Sequence, residues 1–326
     1  MSHFEIIART AVATLISVIA VSVANAQSYP TKPIRIVVGG APGSSIDLPT
    51  RVIADRLKDR LGQAVIVENR PAAGGTVAAN EGAKSAPDGH VLYMGFNGPL
   101  AFAPHLFSSL PYDPIKDFAP VIKVGSQPFV LAVPTSLEVK TLQAFIELAR
   151  RQPGKLNYSS LGNGSGTHIT MELLKSRGKV FIVHIPYNGG PAAATAIAQG
   201  DAQAFFAPIA TIMPHVRSGR ATLIAVSSKE RFALMPDVPT VAEQGFPEFD
   251  SDGWNGFVAP AATPRAVIDR LNKEINEIFA LPEVRQFFTT SQIKIGGGTP
   301  EEFGALMRTY HRDWAGVIKA SGAKLD

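Results

Sequence analysis

The most constraining feature of this sequence is an ordered alternation of short β-branched runs with amphipathic stretches. Ile34–Val38 reads as a strand buried on both faces. The loop GGAPGSS follows, and a helix is expected to start near Ser45. Ser44 or Ser45 can cap it, Asp47 suits its first turn, and Pro49 is tolerated there. Leu48, Val52, Leu57 and Leu61 are expected to line one face, with Gly62 ending the helix. Ala64–Val67 is the next strand, 75–84 a small-residue helix, Asp88-Gly89 a turn and Val91–Met94 a third strand. This β-α-β-α-β order implies a parallel sheet with helices on both sides.

The pattern restarts after about residue 126. Thr141 is placed to cap a helix that turns Leu142, Phe145, Ile146 and Ala149 inward. Strands are expected at Leu156–Ser159, Val180–His184, Ala202–Phe206 and Leu223–Ser227. Helices fall between them, ending near Arg177, spanning 191–199 and ending near Ser218. The tail holds a strand over Trp254–Ala259, a helix over 264–280 and a last helix over 300–320. Trp254 and Phe257 read as core, while Phe205 and Phe206 suit either core or pocket wall. No repeat of 20–50 residues is visible, and no Pro/Ser-rich linker separates the units. The result is an α/β body of two lobes joined by crossing segments.

The N-terminus stands outside that pattern. Residues 11–24 carry no charge, and Ala24-Asn25-Ala26 fits the small-x-small site of a secretory signal cut after Ala26. The run is shorter than the ~20 apolar residues of a membrane helix. An exported, soluble chain beginning at Gln27 is expected. Charged residues are 18% and hydrophobic residues 45%, the balance of a globular chain rather than a disordered one. Lys and Arg total 31 against 27 Asp and Glu, and they are scattered, so no basic face for nucleic acid is indicated. The absence of cysteine removes disulfides, thiolate sites and lipid attachment through Cys.

Most catalytic signatures are missing. There is no G-x-x-x-x-G-K-[ST], no H-E-x-x-H and no G-x-S-x-G, and Gly162–Gly166 does not match G-x-G-x-x-G. The seven histidines form no i, i+3 or i+4 pair, so no metal site is expected. What recurs is a set of four strand-to-helix loops built from small and polar residues: Ala41–Asp47, Gly95–Leu100, Leu161–His168 and Asn188–Ala192. Ligands of open α/β sheets bind at the carboxyl ends of strands. Helix N-termini there present free N–H groups and about half a positive charge. Only His168 in these loops can carry a positive side chain, so an anion would be held by backbone amides and hydroxyls. His168 also suits a capping or packing role, Asp47 a first-turn role, and Tyr187 either core or pocket wall.

A longer set of motifs runs through the chain: YPTKPIRIVV at 29–38, APGSSID at 41–47, LGQAVIVENRPAAGGTVAA at 61–79 and APDGHVLYMGFNG at 86–98. LPYDPIKDFAPV at 110–121, PGKLNYSSLGNGSGTH at 153–168 and HIPYNGG at 184–190 continue it. MPDVPTVAEQGFP at 235–247, GWNGFVAPAATP at 253–264 and GGTPEEF at 297–303 complete it. The ordered set resembles the Bug-type periplasmic receptors of tripartite tricarboxylate transporters. The resemblance implies a two-lobed fold of the periplasmic-binding-protein type, class II-like, closing on a small aliphatic or aromatic carboxylate between its lobes. It implies lobe I over 27–126 plus 225–326 and lobe II over 127–224.

The family's pocket maps onto Gly43, Ser44, Ser45 and Asp47 after the first strand, and onto Asn97 and Gly98 after the third. In the second lobe it maps onto Gly164, Ser165, Gly166, Thr167 and His168, then Tyr187, Asn188, Gly189 and Gly190, then Ala207 and Pro208. The chain departs from the family at four places. Gly39 and Gly40 replace a Pro-aromatic pair, with Ser44 at a usual Gly; Asn188 replaces a Lys. Phe206-Ala207-Pro208 replaces a stretch like F-D-N, and Asn255 an aromatic. An acid, a base and two aromatics are thereby removed, which disfavours an amino-acid ligand and leaves more room.

The expectation is a periplasmic solute receptor delivering a small organic acid to the permease subunits of such a transporter. It is expected to be monomeric, with no cofactor, no metal and no nucleic-acid partner. A receptor reporting to a membrane sensor is the alternative reading. An exported enzyme is a third, for which no poised nucleophile or acid–base pair is found.

Overall fold

The computed structural model describes residues 29–325, so the expected signal segment over 1–26 lies outside the described residues. The first half runs β1 (Ile34–Val38), α1 (Asp47–Leu61), β2 (Val65–Asn69), α2 (Thr76–Ala83), β3 (Val91–Phe96) and α3 (Ala103–Leu106). A strand of 17 residues follows, β4 (Phe118–Pro134). The second half runs α4 (Leu142–Arg151), β5 (Asn157–Ser160), α5 (Gly166–Gly178), β6 (Val183–Pro186), α6 (Gly190–Gln199), β7 (Phe205–Pro208), α7 (Ile209–Arg217) and β8 (Ala221–Val226). The tail holds β9 (Asp252–Pro260), α8 (Arg265–Phe279), α9 (Pro282–Thr290), β10 (Lys294–Gly297) and α10 (Pro300–Ser321).

The parallel pairing expected from the alternation holds within each half but not between all strands. β1 pairs with β2 and with β3 in parallel, and β5 pairs with β6 in parallel. A bridge from Tyr158 to Ala204 sets the approach to β7 parallel to β5. β9 then adds antiparallel to β3, β4 to β9, and β10 to β4. β4 is shared. Its pairing with β9 ends at Pro128 opposite Asp252, and from Phe129 onward it pairs with β7 and β8. This strand was not expected. Pro120 and Pro128 interrupt it, and it is buried on both sides for much of its length, so no alternation marks it. α9 and β10 were also not expected.

The face of α1 differs from the expected one. Leu48 is 44% exposed, whereas Ile53, Ala54, Leu57 and Leu61 are buried. The inward stripe begins at Asp47 and Thr50, which are buried because their side chains are hydrogen-bonded. Leu48, one residue on, is rotated about 100° away from that stripe. The helix starts at Asp47 rather than Ser45, and the residue before it, Ile46, provides no side-chain cap. α4 matches expectation: Thr141 accepts from the Ala144 amide at 3.2 Å, and Leu142, Phe145, Ile146 and Ala149 are buried.

One apolar cluster packs α1 and α8 on the first sheet through Ile53, Leu57, Leu271 and Ile275, with Phe257 from β9. Each fully buried side chain of this size contributes roughly 1.5–3 kcal/mol. A second cluster crosses the halves. Phe303, Met307 and Trp314 of α10 join Tyr93 and Phe102 of the first half with Phe129 and Phe206 further on. Trp254 belongs to it, and Phe205 to a third cluster under α6 and α7, so Phe205, Phe206, Trp254 and Phe257 are all core.

Candidate functional site

Parallel strands put their carboxyl ends on one side, and each is followed here by a loop and a helix start. In the first half these are 39–46, 70–75 and, after β3, Asn97 alone, which leads straight into a π-helical turn over Gly98–Phe102. In the second half they are 161–165 and 187–189, with Pro208 leading directly into α7. The two rows meet backbone to backbone. A Cβ placed on Gly74 would lie 2.5 Å from the Asn163 carbonyl oxygen, and one on Gly98 3.1 Å from that of Gly164. A Cβ on Gly166 would lie 2.9 Å from Asn97 Nδ2. Larger side chains at these glycines would hold the rows apart.

The first loop is organised by Asp47, which is 1% exposed. Its Oδ2 accepts from the Gly43 amide at 2.7 Å and from Arg51 Nε at 2.9 Å. Its Oδ1 accepts from Asn69 Nδ2 at 2.9 Å. Burial works against its charge, but the bonds from Arg51, Gly43 and Asn69 outweigh burial and lower its pKa. Asp47 therefore shapes the loop, leaving Gly43 exposed and Ser44 and Ser45 half-buried.

The Gly164–His168 loop is buried and closed on itself. Ser165 Oγ donates to the Gly162 carbonyl at 2.7 Å and caps α5 by accepting from the His168 amide at 3.3 Å. Thr167 Oγ1 accepts from the Leu161 amide at 3.0 Å. His168 Nδ1 accepts from the Gly164 amide at 3.1 Å. Burial, seconded by the Lys175 charge, pushes the His168 pKa down to about 4, so the ring is neutral at pH 7. The His168 and Ile169 amides are taken by Ser165, and helix geometry leaves those of Gly166 and Thr167 without intrahelical acceptors. Those two amides at the start of α5 are thus left for an acceptor outside the helix.

Behind this loop a polar group is buried: Tyr158 donates to Glu172, which also pairs with Lys175 at 2.6 Å. A cavity of about 380 Å³ lies between His168, Glu172 and His184 and the tail residues 322–325.

Of the residues expected in the site, Asn97 and Gly98 lie against Gly164 and Gly166. Ala207 and Pro208 are fully enclosed, paired with Val130 and Phe129. Gly189 takes φ +100°, a conformation that favours glycine, and Gly190 lies against Thr211 at the start of α7. Tyr187 is half-buried beside the third core cluster, and Asn188 is exposed. The 70–75 turn was missed, although it follows a parallel strand as the other loops do. Its two glycines at positive φ, Gly74 and Gly75, were the available signal. Leu325 was also missed; its amide donates to the Leu106 carbonyl, and its side chain crowds Gly164. Among the described residues no group of three His, Cys, Asp or Glu could hold a metal ion, and no helix is long and apolar enough to cross a membrane.

The model of the tripartite tricarboxylate transporter family receptor matches residues 50–322. The chain belongs to this receptor family. Among its relatives is the protein BugT of Bordetella pertussis, 35% identical over 302 residues, with 92% of this chain and 93% of BugT covered. Among solved structures, R. palustris Rpa4515 with adipate superposes with a TM-score of 0.86 at 29% identity, over 91% of this chain and 100% of that one. MatC from Rhodopseudomonas palustris with bound malate gives 0.84 at 30% identity, over 89% and 100%. The tricarboxylate-transporter receptor fold, two lobes of mixed α/β structure, is therefore the fold of this chain. The family is one of solute-binding receptors, not of enzymes.

Proposed function

We propose that this chain is a periplasmic receptor that captures a small organic carboxylate and delivers it to the permease subunits of a tripartite tricarboxylate-type transporter. Lobe I is assigned to residues 27–126 plus 225–326, and lobe II to 127–224. The crossover in pairing near Pro128 supports that division. One observation carries the reading: two rows of glycine-rich loops meet backbone to backbone, and the only titratable cation in the expected loops is held neutral. Such a site suits an anion whose oxygens accept from helix-start amides, here those of Gly166 and Thr167. The adipate and malate in the two similar structures are small dicarboxylates of the same chemistry.

Closure then depends on the ligand, because a bound carboxylate accepts from both rows at once. Ser44, Ser45 and Asp47 set the first loop. Ser165, Thr167 and His168 set the loop of the second lobe, and Tyr187, Ala207 and Pro208 frame its far side.

The test is a thermal-shift screen of the chain from Gln27 against mono-, di- and tricarboxylates, each beside its amide. A ligand at 100 times its dissociation constant stabilises the fold by about 2.7 kcal/mol. Carboxylate shifts lost in the amides are expected. A shift from a neutral solute alone would overturn the carboxylate assignment.

A further inference from the structure

The passages between the halves converge on one buried hydroxyl. Phe129 is where β4 changes partners, Ser227 follows β8, and Ser251 precedes β9. Ser227 Oγ accepts from the Phe129 amide at 2.9 Å and donates to the Ser251 carbonyl. Backbone bonds join the same three residues. The Ser227 amide donates to the Phe129 carbonyl, and the Ser251 amide to the Ser227 carbonyl, each at 2.9 Å. Any turning of one half on the other pivots about this junction.

α5 is tied directly to it. Thr170 Oγ1 and Ser251 Oγ lie 2.6 Å apart and share a hydrogen bond across 81 residues of chain. Thr170 and Ser227 are 0% exposed and Ser251 1%. Thr170 stands one turn beyond Gly166, so both lie on one face of the helix. On that face a Cβ at Gly166 would lie 2.9 Å from the Phe129 ring and 2.9 Å from Asn97 Nδ2. Asn97 Nδ2 in turn donates to the carbonyl of Asp252, the neighbour of Ser251, at 3.4 Å. This face of α5 thus rests on the root of β9.

Packing alone does not need these hydroxyls, because replacing both partners of a buried hydrogen bond by apolar groups of the same shape can be nearly neutral. A hydroxyl pair adds direction. It holds over a narrow range of distance and angle, where apolar contacts slide. Atoms beside a pivot move least when the halves turn, so the bond persists through opening and shutting.

We propose that Thr170 and Ser251 are positioning residues, whose bond ties α5 to the pivot and limits how freely the Gly166 and Thr167 amides swing over the first half. What those amides hold rests on the carboxylate reading; the tether does not.

The chain contains no cysteine, so spin labels go only where cysteines are introduced. One pair of labels spans the halves, at Ser176→Cys on α5 and Asp59→Cys on α1. A second pair stays within the second half, at Ser176→Cys and Thr195→Cys on α6. All three positions are exposed. Pulsed double electron–electron resonance without ligand reads both distances. Thr170→Val keeps the shape and drops the hydroxyl. It is expected to broaden the distance distribution across the halves and to leave that within the second half as in the parent. Ser251→Ala is expected to do the same, the double variant to add nothing further, and Thr170→Ser to restore the parent distribution. An unchanged distribution across the halves in both folded single variants would overturn the proposal. So would equal broadening within the second half, or no restoration by serine. No ligand is used, so these outcomes stand whether or not the cleft takes a carboxylate.

Discussion

The imidazole of His168 lies flat on that of His184, with ring centroids 4.1 Å apart and planes 8° from parallel. Tyr158 continues the stack beyond His184 at 4.7 Å. Burial holds His184 down to about 3, with repulsion from His168 as the next cause, and His168 to about 4. An unfolded histidine titrates near 6.5. Below that value the unfolded chain binds protons that the native stack refuses, so stability is expected to fall from about pH 6.5 downward. His215 and His311, also lowered, act in the same direction. Asp252, raised to about 6, acts in the opposite one, since its native form keeps a proton that the unfolded chain has released. Urea unfolding at pH 7 and pH 5 checks the balance. A loss of stability at pH 5, reduced in His184→Gln, is expected; an unchanged stability would remove this account of the stack.

Gly74 lies directly against the facing row. It sits at φ +62°, and a Cβ there would meet the Asn163 carbonyl oxygen. Gly74→Ala is expected to cost about 1–2 kcal/mol in backbone strain. Its larger effect is expected on closure, with carboxylate affinity falling at least tenfold. Titration calorimetry beside circular dichroism separates the two effects. Parent affinity in a folded variant would detach the 70–75 turn from closure.

The hydroxyls of Ser165 and Thr167 bond within their own loop rather than pointing outward unpaired. Ser165→Ala removes a helix cap and is expected to lower stability by about 0.5–2 kcal/mol. Thr167→Val breaks the bond from the Leu161 amide and is expected to weaken carboxylate binding, whereas Thr167→Ser retains the oxygen and restores it. Equal affinities in the valine and serine variants would assign Thr167 no part in holding the loop.

Asp47 offers a test in the other half. Asp47→Ala leaves the Gly43 amide, Arg51 and Asn69 without their shared partner, at a cost of about 1–3 kcal/mol. Its lowered pKa makes the sign with pH definite. The stabilisation is present above the unfolded value near 3.9 and is lost as pH falls below it. Parent and variant are therefore expected to differ in melting temperature at pH 7 and to converge in strong acid.

The elements that carry their own periodicity or caps were legible in the sequence. α4 declares itself through Thr141 and its apolar spacing, and the loops after β1, β3, β5 and β6 through their glycines. The inward turn of Asp47 was not legible, because a carboxylate is buried only when distant groups satisfy it, and Asn69 arrives from another strand. β4 was hidden by its prolines and by burial on both sides. The contact of Gly74 with Asn163 joins backbone atoms of segments far apart in the chain, and no residue pattern within either segment records it.

β4 has a mechanical consequence. Because one continuous strand belongs to both sheets, any turning of one half against the other must put torsion into that strand. Its ladder changes partners at Pro128, whose ring offers no N–H. The joint is thus compliant at one point but stiff on either side, more a leaf spring than a slack tether. Opening and shutting would then carry an elastic restoring force, in which this ribbon and the return segment after β8 must twist together.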